Sequence, residues 1–335
     1  MEKIDLWQFD DEKKVRLYTK VSKDMKLHEK AVEKDWWVCH VIRAVFMLEC
    51  APYLTFKGGT SLSKAWGIEG RFSEDVDISI DKSFFGLTGD TRSQRDRIRK
   101  LSREYFYDKV MTELGACLYV TGAAEHEIGF VRRKDSDADP SVFRIPYHTL
   151  LPELDYLKGE VKIEFSCRNM QEPRQMREIK PYICSLVPQI DFEKTVVPTV
   201  VPTRTFLEKI FLLHEEYQKD YPRHNRMSRH LYDLAKLADT EFADKALSDK
   251  ALYCNLVRHR SIFNAIRGID YSKHLPRYIT IVPPENIIDL WREDYAKMQS
   301  SFIYEESPSF DVLIAKLQAL QEKVRLIDID AKNLA

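Results

Sequence analysis

Apolar positions recur along the chain with two different periods. From Lys26 to Glu49, "KLHEKAVEKDWWVCHVIRAVFMLE", residues Ala31, Trp36 or Trp37, His40, Val41 and Ala44 fall at helical spacing and predict an amphipathic helix. A short helix is expected after the glycines at 58 and 59, then a turn over Gly67–Gly70 and a strand over "DVDISI" at 75–80. "TRSQRDRIRKLSREYFYDKVMTEL" (91–114) reads as a long, mostly basic helix. Four short alternating or β-branched runs then predict strands: "CLYVT" (117–121), "EIGFVRR" (127–133), "VFRIPYH" (142–148) and "VKIEFSC" (161–167). Past the run "VVPTVVPTRT" (196–205), in a region punctuated by Pro188, Pro198 and Pro202, strand signals almost vanish. Helical periodicity continues in 204–219, 226–238, 285–302 and 311–324. The fold class expected is α/β (α+β): a domain over 1–200 built on one mixed sheet, then a helical domain over 201–335.

Composition narrows the class without naming a task. The 335 residues are 44% hydrophobic and 31% charged, ordinary for a chain with a real core. With a formal net charge of −1, no global basic field recruits nucleic acid, so a polyanion must be drawn by local patches. Six scattered cysteines without a CxxC pair suit free thiols in a reducing, cytoplasmic setting. The first residues, "MEKIDLWQFDDEKK", lack the apolar segment of a signal peptide, and no apolar run approaches the roughly 20 residues that span a bilayer, so no membrane partner is expected. No GxSxG, HExxH or Walker sequence is present.

The chemistry concentrates in "FKGGTSLSKAWGIEGRFSEDVDISID" (56–81). Residues two apart on a strand share a face, so Asp75 and Asp77 point together. Paired carboxylates repel unless a cation, a proton or an arginine compensates, and magnesium, which shares hard oxygen ligands with substrate phosphates, fits that need. Gly58 and Gly59 let the backbone approach a phosphate closely, with the N-terminus of the following helix aimed at it. Thr60 and Ser61 either cap that helix or donate to the same phosphate.

A Gly-Gly-[Thr/Ser] turn, a short helix and a DxD strand together resemble the DNA polymerase beta-like nucleotidyltransferase superfamily. The fuller string "KGGTSLSKAW…RFSEDVDISI", with "VEKDWWVCHVIRAVF" upstream, is similar to its AbiEii/AbiGii toxin branch, which includes the MenT-type toxins. That resemblance implies a third carboxylate on a neighbouring strand, for which "VKIEFS" offers Glu164; Asp155 and Glu160 are alternatives in a turn-like setting. It also implies that Lys209, in "FLEKIFLL", contacts nucleotide phosphate and that Asp233, in "SRHLYDLAKL", completes the site. Local readings stand beside these roles: Thr205 and Glu208 have capping-box spacing, and Arg229 and Asp233 have that of a helix ion pair. His230 stands where the family often has an acid, and neither it nor Lys57 receives a task.

The expectation is a nucleotidyltransferase whose helical domain closes the active-site cleft. Two magnesium ions on Asp75, Asp77 and Glu164 would serve NMP transfer from an NTP to an acceptor hydroxyl, with Asp75, Asp77, Lys209 and Asp233 catalytic. Gly58, Gly59, Thr60, Ser61 and Lys209 would bind the nucleotide. Among the basic stretches (92–103, 132–134, 223–230 and "RHRSIFNAIRG"), the third leads straight into the Asp233 segment. Arg223, Arg226 and Arg229 are therefore the candidate RNA contacts. By resemblance the acceptor is the 3′ end of a tRNA, and the biology a toxin–antitoxin or phage-defence module with a cognate antitoxin. The alternatives are nucleotidylation of a protein hydroxyl and a non-catalytic nucleotide- or partner-binding module.

Overall fold

Alternating apolar residues in the first two hundred positions assemble a seven-stranded mixed sheet in the order 131–132, 141–146, 160–166, 75–80, 54–57, 195–200 and 174–179. A computed structural model describes residues 3–68, 70–89, 91–123, 131–132, 139–152, 157–168, 170 and 172–334. The chain divides into two compact units, one formed by 1–67, 71–89 and 93–200, the other by 68–70, 90–92 and 201–335.

In the first unit the sheet strands are β2 (Leu54–Lys57), β3 (Asp75–Ile80), β4 (Val131–Arg132), β5 (Ser141–Pro146), β6 (Glu160–Ser166), β7 (Arg174–Ile179) and β9 (Thr195–Val200). A separate two-stranded pair joins β1 (Ile4–Asp5) to β8 (Ile190–Asp191). β3 runs parallel to β6, and β2 parallel to β9. The helices of this region are α1 (Asp11–Met25), α2 (Glu29–Val45), α3 (Gly58–Trp66), α4 (Arg92–Tyr105), α5 (Met111–Val120) and α6 (Tyr182–Leu186). Val76, Ile78 and Ile80 of β3 and Val161, Ile163 and Phe165 of β6 are wholly buried in one apolar cluster with residues of α2, α4 and α5. Phe165 stacks on Phe106 at 4.6 Å between ring centroids. Strand alternation then sends Asp75, Asp77, Lys162 and Glu164 to the opposite face.

Several expectations are corrected. "CLYVT" is not a strand: Met111–Val120 is helical, because Leu114 and Leu118, four apart, are both buried in the core. Helix α4 passes into α5 through a π-turn at Phe106–Val110, which keeps Phe106 and Val110 buried. Of "EIGFVRR", Val131–Arg132 forms β4, while 127–130 and 133 lie outside the described residues, as does the rest of the basic stretch 132–134. The proline-punctuated boundary contains a strand, β9, paired with β7 from Arg174↔Val200 to Ile179↔Thr195. Helix α2 is not amphipathic. Fifteen of its seventeen residues are buried, including Lys30, Glu33, Lys34 and Asp35.

The second unit holds α7 (Pro202–Tyr217), α8 (Ser228–Leu237), α9 (Glu241–Ser248), α10 (Lys250–His259), α11 (Ile288–Ser301) and α12 (Phe310–Arg325). Glu215 of α7 receives Arg260 Nε at 2.7 Å and lies 3.2 Å from His274 Nε2. Burial alone would raise its pKa, but these two partners bring it down to about 2. All six cysteines are free thiols. Among the described residues no helix is long and apolar enough to cross a membrane.

Candidate active site

The acidic strand and the glycine turn meet because β2 hands the chain directly to α3 while β3 lies antiparallel beside it, Lys57 opposite Asp77. Gly58 has φ +77°, a left-handed conformation, and a Cβ built on it would lie 1.9 Å from Asp77 Oδ2. Only glycine satisfies both constraints. The close approach puts a carboxylate beside the first turn of α3. Lys57, the residue before that helix, supplies no side-chain cap to its N–H groups.

Thr60 and Ser61 lie within α3 and are buried, so neither caps it from outside. Thr60 Oγ1 donates to the Asp75 carbonyl at 2.5 Å and lies 3.0 Å from Ser73 Oγ, fastening α3 to the start of β3. Ser61 Oγ donates to the Gly58 carbonyl at 2.8 Å. Both hydroxyls are engaged in local structure.

Glu164 stands directly opposite Asp77 in the parallel register of β3 and β6, and Lys162 opposite Asp75. The Asp75 and Glu164 side chains keep 20% and 26% of their surface, so this face is partly open to water. Lys162, which sequence reasoning gave no role, pairs with Glu164, and its ammonium is 3.9 Å from Asp75 Oδ1. The signal for it was its place two residues before Glu164 on an alternating strand. Glu160 instead pairs with Arg144, and Asp155 lies outside the described residues. Among the described residues no set of three or more His, Cys, Asp or Glu side chains is gathered as a metal cluster. The donor chemistry nevertheless suits a hard cation shared with phosphates: oxygen ligands only, a partly open face, and a backbone at Gly58 that must stay bare.

In the helical unit Lys209 Nζ lies 2.6 Å from Asp233 Oδ2, both side chains being almost fully buried. Asp233 thus pairs with α7. The capping box at Thr205 does not form. Helix α7 starts at Pro202, and Glu208 pairs with the buried Arg204 at 2.8 Å.

The basic run 223–230 is not one continuous helix: 223–227 form a loop and turn, and 228–230 open α8. Glu216 accepts from the Arg223 backbone and guanidinium, with Oε2 2.7 Å from Nη2. Arg226 takes φ +58°, its N–H donating to Asp294 Oδ1 at 2.6 Å and its guanidinium 5.6 Å from the Phe302 ring. Arg229 sits in the first turn of α8, partly exposed.

A search of curated proteins returned no match. Among solved structures the chain is similar to MenT4, a nucleotidyltransferase toxin from Mycobacterium tuberculosis H37Rv, at 16% identity. The TM-score is 0.54, with 95% of this chain and 92% of that one covered, a likeness of fold. Residues 45–316 match the family described as "Nucleotidyl transferase AbiEii toxin, Type IV TA system". That span takes in the glycine turn, the acidic strand, Glu164, Lys209 and Asp233, and the chain belongs to this family of NTP-using nucleotidyltransferase toxins.

Proposed function

We propose that the chain transfers NMP from an NTP to the 3′ end of a tRNA, with magnesium, as the toxin of a toxin–antitoxin or phage-defence module neutralised by a cognate antitoxin. The observation that carries this reading is the close approach of the bare Gly58 backbone to Asp77, which sets the N-terminus of α3 and a carboxylate side by side. Asp75 and Asp77, with Glu164 opposite, would hold the metal. When bound, magnesium would lower the pKa of the acceptor hydroxyl and neutralise the departing pyrophosphate.

The chain's own residues supply positioning. Gly58 and Gly59 admit the triphosphate to the N-terminus of α3, where backbone N–H groups face it at no reorganisation cost. Thr60 and Ser61 act from within that helix, the first by holding β3 to α3. Lys162 balances the acids until substrate arrives. In the helical unit Lys209 is the proposed phosphate contact, its direction set by Asp233. Arg223, Arg226 and Arg229 are the proposed contacts to the RNA backbone, the first of them paired with Glu216.

The test is incubation with each labelled NTP and total tRNA across magnesium and salt series, with and without ribonuclease. The expected result is magnesium-dependent, ribonuclease-sensitive label that weakens steeply with salt. Ribonuclease-resistant label on a polypeptide would overturn the RNA acceptor in favour of protein nucleotidylation. Full transfer in excess chelator would overturn the metal.

A further inference from the structure

We propose that Lys34 and Asp35, consecutive on α2, are positioning residues for the two halves of the site: Lys34 sets the acidic strand through Glu74, and Asp35 sets the glycine helix through Lys64. The inference rests on the nucleotide-transfer reading of that site. Its geometric core does not.

Neighbouring residues of an α-helix point about 100° apart, so adjacent side chains reach different elements. Lys34 Nζ lies 2.5 Å from Glu74 Oε2 and donates to the Lys158 carbonyl at 3.2 Å. Glu74 is the residue immediately before Asp75, so this grip falls one residue before the acidic strand begins. Asp35 Oδ1 lies 2.5 Å from Lys64 Nζ, and Oδ2 accepts the Tyr182 N–H at 2.7 Å. Lys64 also sits 3.4 Å from the Tyr182 ring centroid. At a rise of about 1.5 Å per residue, Lys64 stands roughly 9 Å along α3 from Gly58. The far end of that helix is fixed as well, by Arg177 Nε on the Ala65 carbonyl at 2.9 Å and Trp66 Nε1 on the Val200 carbonyl at 3.1 Å.

Burial makes these pairs a costly way to hold a fold together. The side chains of Lys34, Glu74, Lys64 and Asp35 retain 5%, 10%, 3% and 2% of their surface. A buried ion pair commonly adds little net stability over an apolar replacement of similar volume. Its advantage is direction: each lysine must find one carboxylate, which fixes the helix and the strand relative to α2. A displacement of about 1 Å at a reacting centre costs up to roughly 10²-fold in rate, so a device that fixes two elements at once serves the chemistry.

The full chain is tested with Lys34→Met, Asp35→Asn and the paired apolar replacement Asp35→Leu/Lys64→Met. Amide hydrogen exchange is followed over 56–66 and 72–80, alongside thermal midpoints and labelled-NTP kinetics. Lys34→Met should speed exchange selectively in 72–80 and lower kcat by roughly 10- to 100-fold, with KM for the NTP little changed. Asp35→Asn should speed exchange selectively in 56–66 and raise that KM about tenfold. The paired replacement should recover the midpoint while KM stays high, which a merely structural role would not produce. It also keeps the proposal testable if a single variant fails to fold. Exchange rising evenly across the first unit, or unchanged kinetics in folded variants, overturns the positioning role. Wild-type chain that transfers no label overturns the nucleotide-transfer reading instead, and the exchange pattern alone then decides on positioning.

Discussion

Two regions of the first unit set carboxylates against lysines in opposite ways. On α2 the charges are buried and matched one to one, Lys34 with Glu74 and Asp35 with Lys64. On β3 and β6 they are partly open and gathered on one face: Asp75, Asp77 and Glu164 lie together there, and Lys162 pairs with Glu164. Matched, buried charge holds elements in place. Partly hydrated carboxylates set side by side are poised to take a cation or a phosphate-bound metal. The Lys209–Asp233 pair of the helical unit is of the first kind in its burial.

The sharpest break of this contrast is at the acids themselves. Asp77→Asn should abolish label transfer while the thermal midpoint holds or rises slightly, since one of two adjacent like charges is removed. A midpoint that collapses would mean that the acid face is structural, like α2. Next in size is Lys209→Ala. Leaving Asp233 buried without its ammonium should cost about 3–5 kcal/mol, measured by denaturant titration. A loss below about 1 kcal/mol would show that Asp233 does not depend on Lys209 to stay buried.

Smaller still is an effect of pH. His40, stacked on Trp7 at 4.8 Å, has its pKa lowered from 6.5 to about 3 by burial, with a minor push from Arg43. Between those values the unfolded chain binds a proton that the folded chain refuses. Stability should therefore fall on acidification below about pH 6.5, by up to about 1.4 kcal/mol per pH unit from this group. His40→Phe should flatten that limb in midpoint-versus-pH curves. The smallest effect is expected of Lys162→Met, at most about 1 kcal/mol of stability, because both its partners are partly hydrated. A larger loss would move Lys162 into the matched, structural class.

Much of the site was legible in the chain because the pattern behind it is local. Alternation along "DVDISI" and "VKIEFS" by itself set Asp75 with Asp77 and turned Glu164 away from the apolar residues around it, and a glycine pair before a short helix announced a bare backbone. Side-chain period is a property of one strand, and needs no neighbour. What only the tertiary structure decided is what depends on the neighbour: that Asp77 faces Glu164 across a parallel register, and that Lys162 joins them. The same holds for "CLYVT", drawn into a helix by the burial of Leu114 and Leu118, and for β9, a strand inside a proline-marked boundary. The charges of α2 show the limit most clearly. Helical spacing alone finds no partner for Lys34 or Asp35, and only the arrival of Glu74 and Lys64, from distant parts of the chain, makes their burial affordable.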